Sequence, residues 1–327
     1  MLSLFRTNQA LANVLLILYI ALLRGGMFYV LPPVMPEANG IWSYECYQWI
    51  GKDIWMLPWL SLVVILCQAI LINYITARFR LSEEITLFSG AFYILLCGSI
   101  LELSNLPLAL LANTFLIIVL YLLFETYRQS SSAAAIFNIG LWVGIGSLFH
   151  FSFILYLLLG IIGMNILRSW NTKEVLMLII GVFTTYFLCG SVYFLYDAYP
   201  LFWEQQISKN LAFLSFELQN SWVSFVERIF IALLIIISVL SQSIYAYKRN
   251  IQVQKFQSIL YWTMIVAGIS ALIQTKAGML QLVFVLPSLA IFMMYNFTRL
   301  EKSIAEILHL LWFFLVIALQ FHQFFGF

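Results

Sequence analysis

Eleven apolar stretches, separated by short polar segments, take up most of the 327 residues and restrict what this chain can fold into. Crossing about 30 Å of hydrocarbon takes roughly 20 mostly apolar residues in a helix. Backbone N–H and C=O groups must be satisfied internally there, which leaves helices or a closed barrel. Runs such as Ile229–Leu240 lack the in/out alternation of barrel strands. Composition points the same way: 63% of the residues are hydrophobic and 9% charged, whereas a soluble domain carries about 25% charged residues. The expected fold is all-α, a polytopic integral membrane protein with one transmembrane domain over residues 1–327.

The expected spans are Asn8–Leu23, Leu57–Ala77, Ile85–Leu101, Pro107–Phe124, Ala133–Leu148, Phe151–Leu167, Val175–Leu195, Phe225–Ala246, Ser258–Ile273, Gly278–Phe297 and Ile304–Phe325. Ala133–Leu148 and Phe151–Leu167 nearly touch, so they read as two spans, a re-entrant pair or one broken helix. A cytoplasmic N-terminus puts 11 of the 16 Lys and Arg residues inside and 5 outside (Arg24, Lys52, Lys209, Arg228 and Lys276). That excess marks the cytoplasmic face. The expected location is the inner membrane of a bacterium. No small-residue cleavage site ends the first apolar run, so the first helix is expected to be retained.

Two longer segments fall on the outer face, at residues 24–56 and 196–224. The first begins with Gly25, Gly26, Pro32, Pro33 and Pro36, which interrupt any helix, and continues into the Trp- and Tyr-rich Ile41–Trp55, as a headgroup-level segment would. In the second, Phe202, Ile207, Leu211, Leu214 and Leu218 recur at helical spacing, predicting a helix in the interface plane.

The net charge of +2 gives no footprint for nucleic acid. The four cysteines form no CxxC pair, and no HExxH, P-loop, GxSxG or metal-spaced Cys/His cluster is present. Almost no acidic residue stands mid-helix, which argues against a proton-coupled carrier. Glu37, Glu45 and Asp53 recur every eight residues on the first outer segment. Carboxylates there would act as a general base toward an acceptor hydroxyl, or hold a divalent metal beside a phosphate, or simply be solvated. His150, between two apolar runs, would donate to a sugar or phosphate oxygen, shuttle a proton, or bond to a helix-end carbonyl. Arg24, Arg228 and Lys276 are cations against the prevailing charge rule, which calls for an acidic partner or an anionic ligand such as a lipid phosphate; snorkelling to headgroups is the alternative. His309 and His322 lie on the last apolar run, and Asn113 within the fourth is expected to bond across helices.

Leu103–Leu167, which contains GIGSLFHFSF, resembles a multi-pass membrane family without an assigned activity, known mainly from Bacteroidota. The same stretch is similar to the middle of the glycosyltransferase-C superfamily and of the exopolysaccharide polymerases. Lys276–Ile291, KAGMLQLVFVLPSLAI, is similar to the late basic-to-P-x-L-A segment of glycosyltransferase-C enzymes. The resemblance implies a glycosyltransferase-C-like arrangement with an outer-face active site, taking sugar from a polyprenyl-phosphate donor for envelope glycan or glycoprotein assembly. It implies Glu45 or Asp53 as the base and Lys276 as the phosphate contact. The contrasting expectation, from the missing complete motif and the apolar surface, is a non-catalytic subunit of a larger envelope machine, such as a secretion or motility complex. Its partners would then be membrane lipids and another membrane protein.

Overall fold

A computed structural model of the chain describes residues 2–6, 10–26, 38–51, 55–84, 86–129, 132–210, 222–242, 245, 249–273 and 279–321. Thirteen α-helices are described: α1 (Ala10–Arg24), α2 (Ile41–Ile50), α3 (Met56–Arg78), α4 (Phe88–Gly98), α5 (Leu108–Glu125), α6 (Ala133–Phe149), α7 (Tyr156–Leu167), α8 (Thr172–Leu195), α9 (Tyr199–Trp203), α10 (Trp222–Leu240), α11 (Ile251–Ile273), α12 (Leu286–Arg299) and α13 (Lys302–Gln320). Among the described residues there is no strand, only an isolated bridge between Asn39 and His150. Among the described residues, five helical segments are long and apolar enough to cross a bilayer: Met56–Arg78, Leu108–Glu125, Thr172–Leu195, Leu282–Arg299 and Lys302–Gln320.

The centre of the bundle is α4, packed between α3, α12, α1 and α13. All of its 11 residues are buried. At 1.5 Å per residue it is about 16 Å long, half the hydrocarbon thickness. Its apolar run is therefore satisfied by protein, not lipid. The predicted span Ile85–Leu101 is shorter as an α-helix: it starts at Phe88 and ends at Gly98, and Ile100 is extended ahead of a 3₁₀ turn over Leu101–Asn105.

Both ends of α4 are satisfied by side chains from other helices. At its start, Asn73 Oδ1 on α3 accepts from the Gly90 amide (2.7 Å) and the Ser89 hydroxyl (2.8 Å), covering donors that a helix N-terminus leaves without an intrahelical partner. At its end, the Arg24 guanidinium donates to the carbonyls of Cys97 (3.2 Å) and Ile100 (3.4 Å). A further polar cluster joins α3, α4 and α5. Asn113 donates to the Tyr93 hydroxyl (2.9 Å), which bonds to Gln68, and Gln68 in turn donates to the Leu110 carbonyl (2.6 Å). Asn113 thus bonds across helices, as interior amides in membrane bundles do.

The α6–α8 pair is held by a small-residue seam. A Cβ on Gly140 would stand 2.0 Å from the Leu178 carbonyl oxygen, and one on Gly181 would stand 2.4 Å from that of Phe137. With Gly144 against Thr185, the seam reads small-xxx-small on both helices, the pattern that lets backbones approach closely without water. The opposite face of α8 is open, with Ile180, Phe183, Phe187 and Phe194 exposed. The α6–α7 junction is a corner: α6 stops at His150, a 3₁₀ turn runs over Phe151–Leu155, and α7 begins at Tyr156, so the two runs are separate helices.

Three of the four ion pairs among the described residues gather at one end of the bundle, the fourth joining Lys209 and Glu204 beside α9. Arg6 pairs with Glu84, Arg249 with Glu83, and Arg168 with Glu174, each at 3.2 Å. At the other end stand the exposed rings of Trp49, Trp55, Trp59, Tyr196, Tyr199 and Trp203, the amphipathic side chains enriched where bilayer meets water. Of the helix expected from Phe202, the described part is helical, as α9 and a π-helical turn over Glu204–Ser208; Leu211, Leu214 and Leu218 lie outside the described residues.

Candidate functional site: an apolar groove at the aromatic end

The groove is built on the close approach of residues 38–40 to the end of α6. The Phe151 amide donates to the Asn39 carbonyl (2.8 Å). A Cβ on Gly40 would lie 2.3 Å from the Leu148 carbonyl oxygen, so only glycine fits that crossing. The Ile41 amide at the start of α2 donates to Gln206 Oε1 (2.9 Å). Gln206, fully buried in the π-helical turn, also donates through Nε2 to the Ser147 carbonyl (2.8 Å) and to the Tyr186 hydroxyl (3.1 Å). One amide side chain thus ties α2, α6 and α8 to the turn that follows α9. On the far side of α2 the Tyr47 hydroxyl donates to the Leu106 carbonyl (3.2 Å) and accepts from the Leu108 amide (3.0 Å). Leu106 has φ 48°, a left-handed conformation costly for a non-glycine residue, and Tyr47 holds it at the start of α5.

Held this way, α2 lays Trp42 and Glu45 over a cavity of about 810 Å³. One stripe of α8 lines it, from Thr184 and Thr185 through Leu188, Val192 and Tyr193 to Tyr196, with Leu141 and Ile145 of α6 opposite and Leu201 of α9 below. The stripe runs at i, i+4 spacing over 12 residues, about 18 Å along the helix. Leu188 and Val192 are more than half exposed, so the cavity opens sideways as a groove. The Thr184 and Thr185 hydroxyls are turned onto the backbone, at 2.7 Å from the Ile180 carbonyl and 3.2 Å from that of Leu141. Glu45 is the one charged side chain among the described lining residues, and the Tyr193 hydroxyl donates to it at 3.1 Å. The chain matches no protein-family model, and comparison with curated proteins and with solved structures gives no match.

Of the residues singled out in the sequence, Glu45 is at the groove. His150 is close by in the chain path but buried in the protein, its ring 5.4 Å from that of Phe284. It does not line the groove, and its backbone amide closes α6 on the Gly146 carbonyl (3.0 Å). Arg24 is fully buried: its guanidinium donates to Ser61 Oγ (3.2 Å) and to the carbonyls at the end of α4, so it is engaged as a helix cap away from the groove. Arg228 lies beside Glu102 and buried Glu227, whose Oε1 accepts from the Leu101 amide (3.2 Å). Burial pushes the Glu102 carboxyl up from its ordinary range, and the positive charge of Arg228 partly offsets this. Glu37, Asp53 and Lys276 lie outside the described residues, as does His322; His309 is buried with its Nε2 3.0 Å from the Tyr19 hydroxyl. Among the described residues, no group of three or more His, Cys, Asp or Glu is placed to hold a metal.

Tyr193, Trp42 and Gln206 were not singled out in the sequence. Tyr and Trp near a helix end read as interface anchors. Gln206 carried no signal beyond being an amide in an otherwise apolar pattern.

Proposed function

We propose that this protein is an inner-membrane glycosyltransferase that takes sugar from a polyprenyl-phosphate donor on the outer face. The observation that carries this reading is Glu45 at the mouth of the groove, held by Tyr193 and overlying a channel that suits a lipid chain. An acceptor hydroxyl beside Glu45 would give its proton to the carboxylate as its oxygen forms the new bond to the anomeric carbon. The bond from that carbon to the donor phosphate breaks, and the prenyl phosphate leaves with the bonding pair. Lys276 is assigned to the phosphate by the sequence resemblance.

The topology in this reading is eleven crossings with the N-terminus in the cytoplasm. It is supported by contacts between loops, which join segments assigned to one side. Arg6 with Glu84, Arg249 with Glu83, and Lys255 with the Leu167 carbonyl fall inside. Glu45 with Tyr193, Ile41 with Gln206, and Leu101 with Glu227 fall outside. The decisive experiment reconstitutes the protein in liposomes with a radiolabelled polyprenyl-phosphate sugar and total lipid from the host. Transfer by the native protein that is lost in Glu45→Gln, with the fold intact, bears out the reading; equal transfer by both sinks it.

A second reading, a non-catalytic subunit of an envelope complex, draws on the open face of α8, where Phe183, Phe187 and Phe194 stand exposed. Recovery of one stoichiometric membrane-protein partner under gentle detergent, lost in Phe183→Ala/Phe187→Ala, would favour it.

A further inference from the structure

Three features of the groove bear on what occupies it. The first is length: the lining stripe of α8 runs about 18 Å, close to the roughly 15 Å depth of one leaflet of hydrocarbon. The second is direction. It opens sideways through exposed Leu188 and Val192, so a lipid enters from the bilayer without leaving the membrane. The third is the mouth, where Glu45 is flanked by Trp42, Tyr193 and Tyr196. A carboxylate accepts hydrogen bonds and repels anions, and no cation stands beside it among the described lining residues. A peptide or soluble glycan would find almost no hydrogen-bonding partners along this wall, because the two threonine hydroxyls are already turned onto the backbone.

We infer that the groove binds the chain of an outer-leaflet lipid with an uncharged, hydroxyl-bearing head, placing that hydroxyl at Glu45, and that it is not the seat of the anionic prenyl-phosphate donor. The hydroxyl donates to the carboxylate oxygen left open by Tyr193, and the aromatic rings cover the glycerol-like part of the head. Naming this lipid as the acceptor, and its leaflet as the outer one, rests on the glycosyl-transfer reading and its topology; the binding of an uncharged lipid in the groove does not.

The test uses the full-length protein in phosphatidylcholine nanodiscs with three photoactivatable lipids sharing one diazirine-bearing chain. Their heads are glycerol (a diacylglycerol), phosphoglycerol and phosphocholine, and the label is mapped by mass spectrometry. The diacylglycerol probe is expected to label residues 184–196 about tenfold more than the phosphoglycerol probe, a factor within reach of one repelled charge. Leu188→Trp, at a lipid-exposed position, is expected to abolish that label, and Glu45→Lys to reverse the preference toward the anion. Equal or stronger labelling by the phosphoglycerol or phosphocholine probe overturns the inference, as does labelling that Leu188→Trp leaves unchanged, or no labelling of α8 at all. Sugar transfer is read separately in the same discs. Selective labelling without transfer defeats the enzyme reading alone, and transfer with labelling by the anionic probe defeats the groove assignment alone.

Discussion

The Tyr193 hydroxyl donates to Glu45 across 3.1 Å, joining residues 148 positions apart. It ties α8 to α2 where the groove meets the aromatic belt, and orients the one charged group of the described lining.

Tyr193→Phe keeps the ring and its packing against Phe202 while removing that donor. A hydrogen bond to an exposed charged group contributes up to about 1 kcal/mol, so transfer in the liposome assay is expected to fall about fivefold. Thermal stability should change little, because the pair is exposed. A variant with native transfer rates would remove Tyr193 from the site.

Gln206→Leu leaves the Ile41 amide, the Ser147 carbonyl and the Tyr186 hydroxyl without this partner. The Tyr186 hydroxyl keeps its bond to Ser147 Oγ, but a buried donor such as the Ile41 amide left without a partner costs about 1–3 kcal/mol. The expected result is a clear drop in the melting temperature in detergent, with new proteolysis in residues 38–51. An unchanged melting curve would show that the knot does not hold α2.

Gly140→Ala and Gly181→Ala should each destabilise by about 2 kcal/mol or more, since the added methyl meets backbone atoms that cannot move aside. Gly268→Ala is the contrast. Nothing lies within 4 Å of its Cβ position in α11, so gaining helix propensity should stabilise by about 0.5–1 kcal/mol. Denaturation of the three variants in one detergent reads both signs at once.

Arg24→Lys and Arg24→Met should both fold poorly. A lysine ammonium cannot reproduce the planar fork that reaches Ser61, Cys97, Ile100 and Leu103 together, and methionine supplies none of those four donated bonds. The expected loss is about 3 kcal/mol or more, read as yield of monodisperse protein. Native yield of the lysine variant would show that charge alone suffices.

Glu102 gives the pH dependence. Its folded pKa is raised by burial, so the folded state holds the proton more tightly than the unfolded chain. The stability this adds is complete below the unfolded pKa and is lost as pH rises through the folded value. Glu102→Gln should therefore flatten the part of the decline in melting temperature that begins as pH rises above the ordinary carboxylate range. Arg228→Gln, by removing the offsetting charge, should carry that decline to higher pH. Identical profiles for all three proteins would contradict the assignment.

The helical class and the apolar, membrane-compatible character of the helices were legible because periodicity and composition report them directly. What sequence could not separate was apolar surface wrapped by lipid from apolar surface wrapped by protein. Phe88–Gly98 and Phe183–Phe194 read alike, yet the first is wholly buried and much of the second is exposed. Arg24 was legible as an out-of-place cation. Its partners were not, because helix-end carbonyls have no residue signature. Glu45 stood out as an outer-face acid, whereas its donor sits on a helix that only the fold brings beside it.

The two caps of α4 also set an order of events. Arg24 and Asn73 both precede Phe88–Gly98 in the chain. When this short helix leaves the ribosome, the side chains that complete its two ends are already synthesised. A segment too brief to lodge in a bilayer unaided can then dock against helices that arrived before it, which makes the first hundred residues the seed on which later helices assemble.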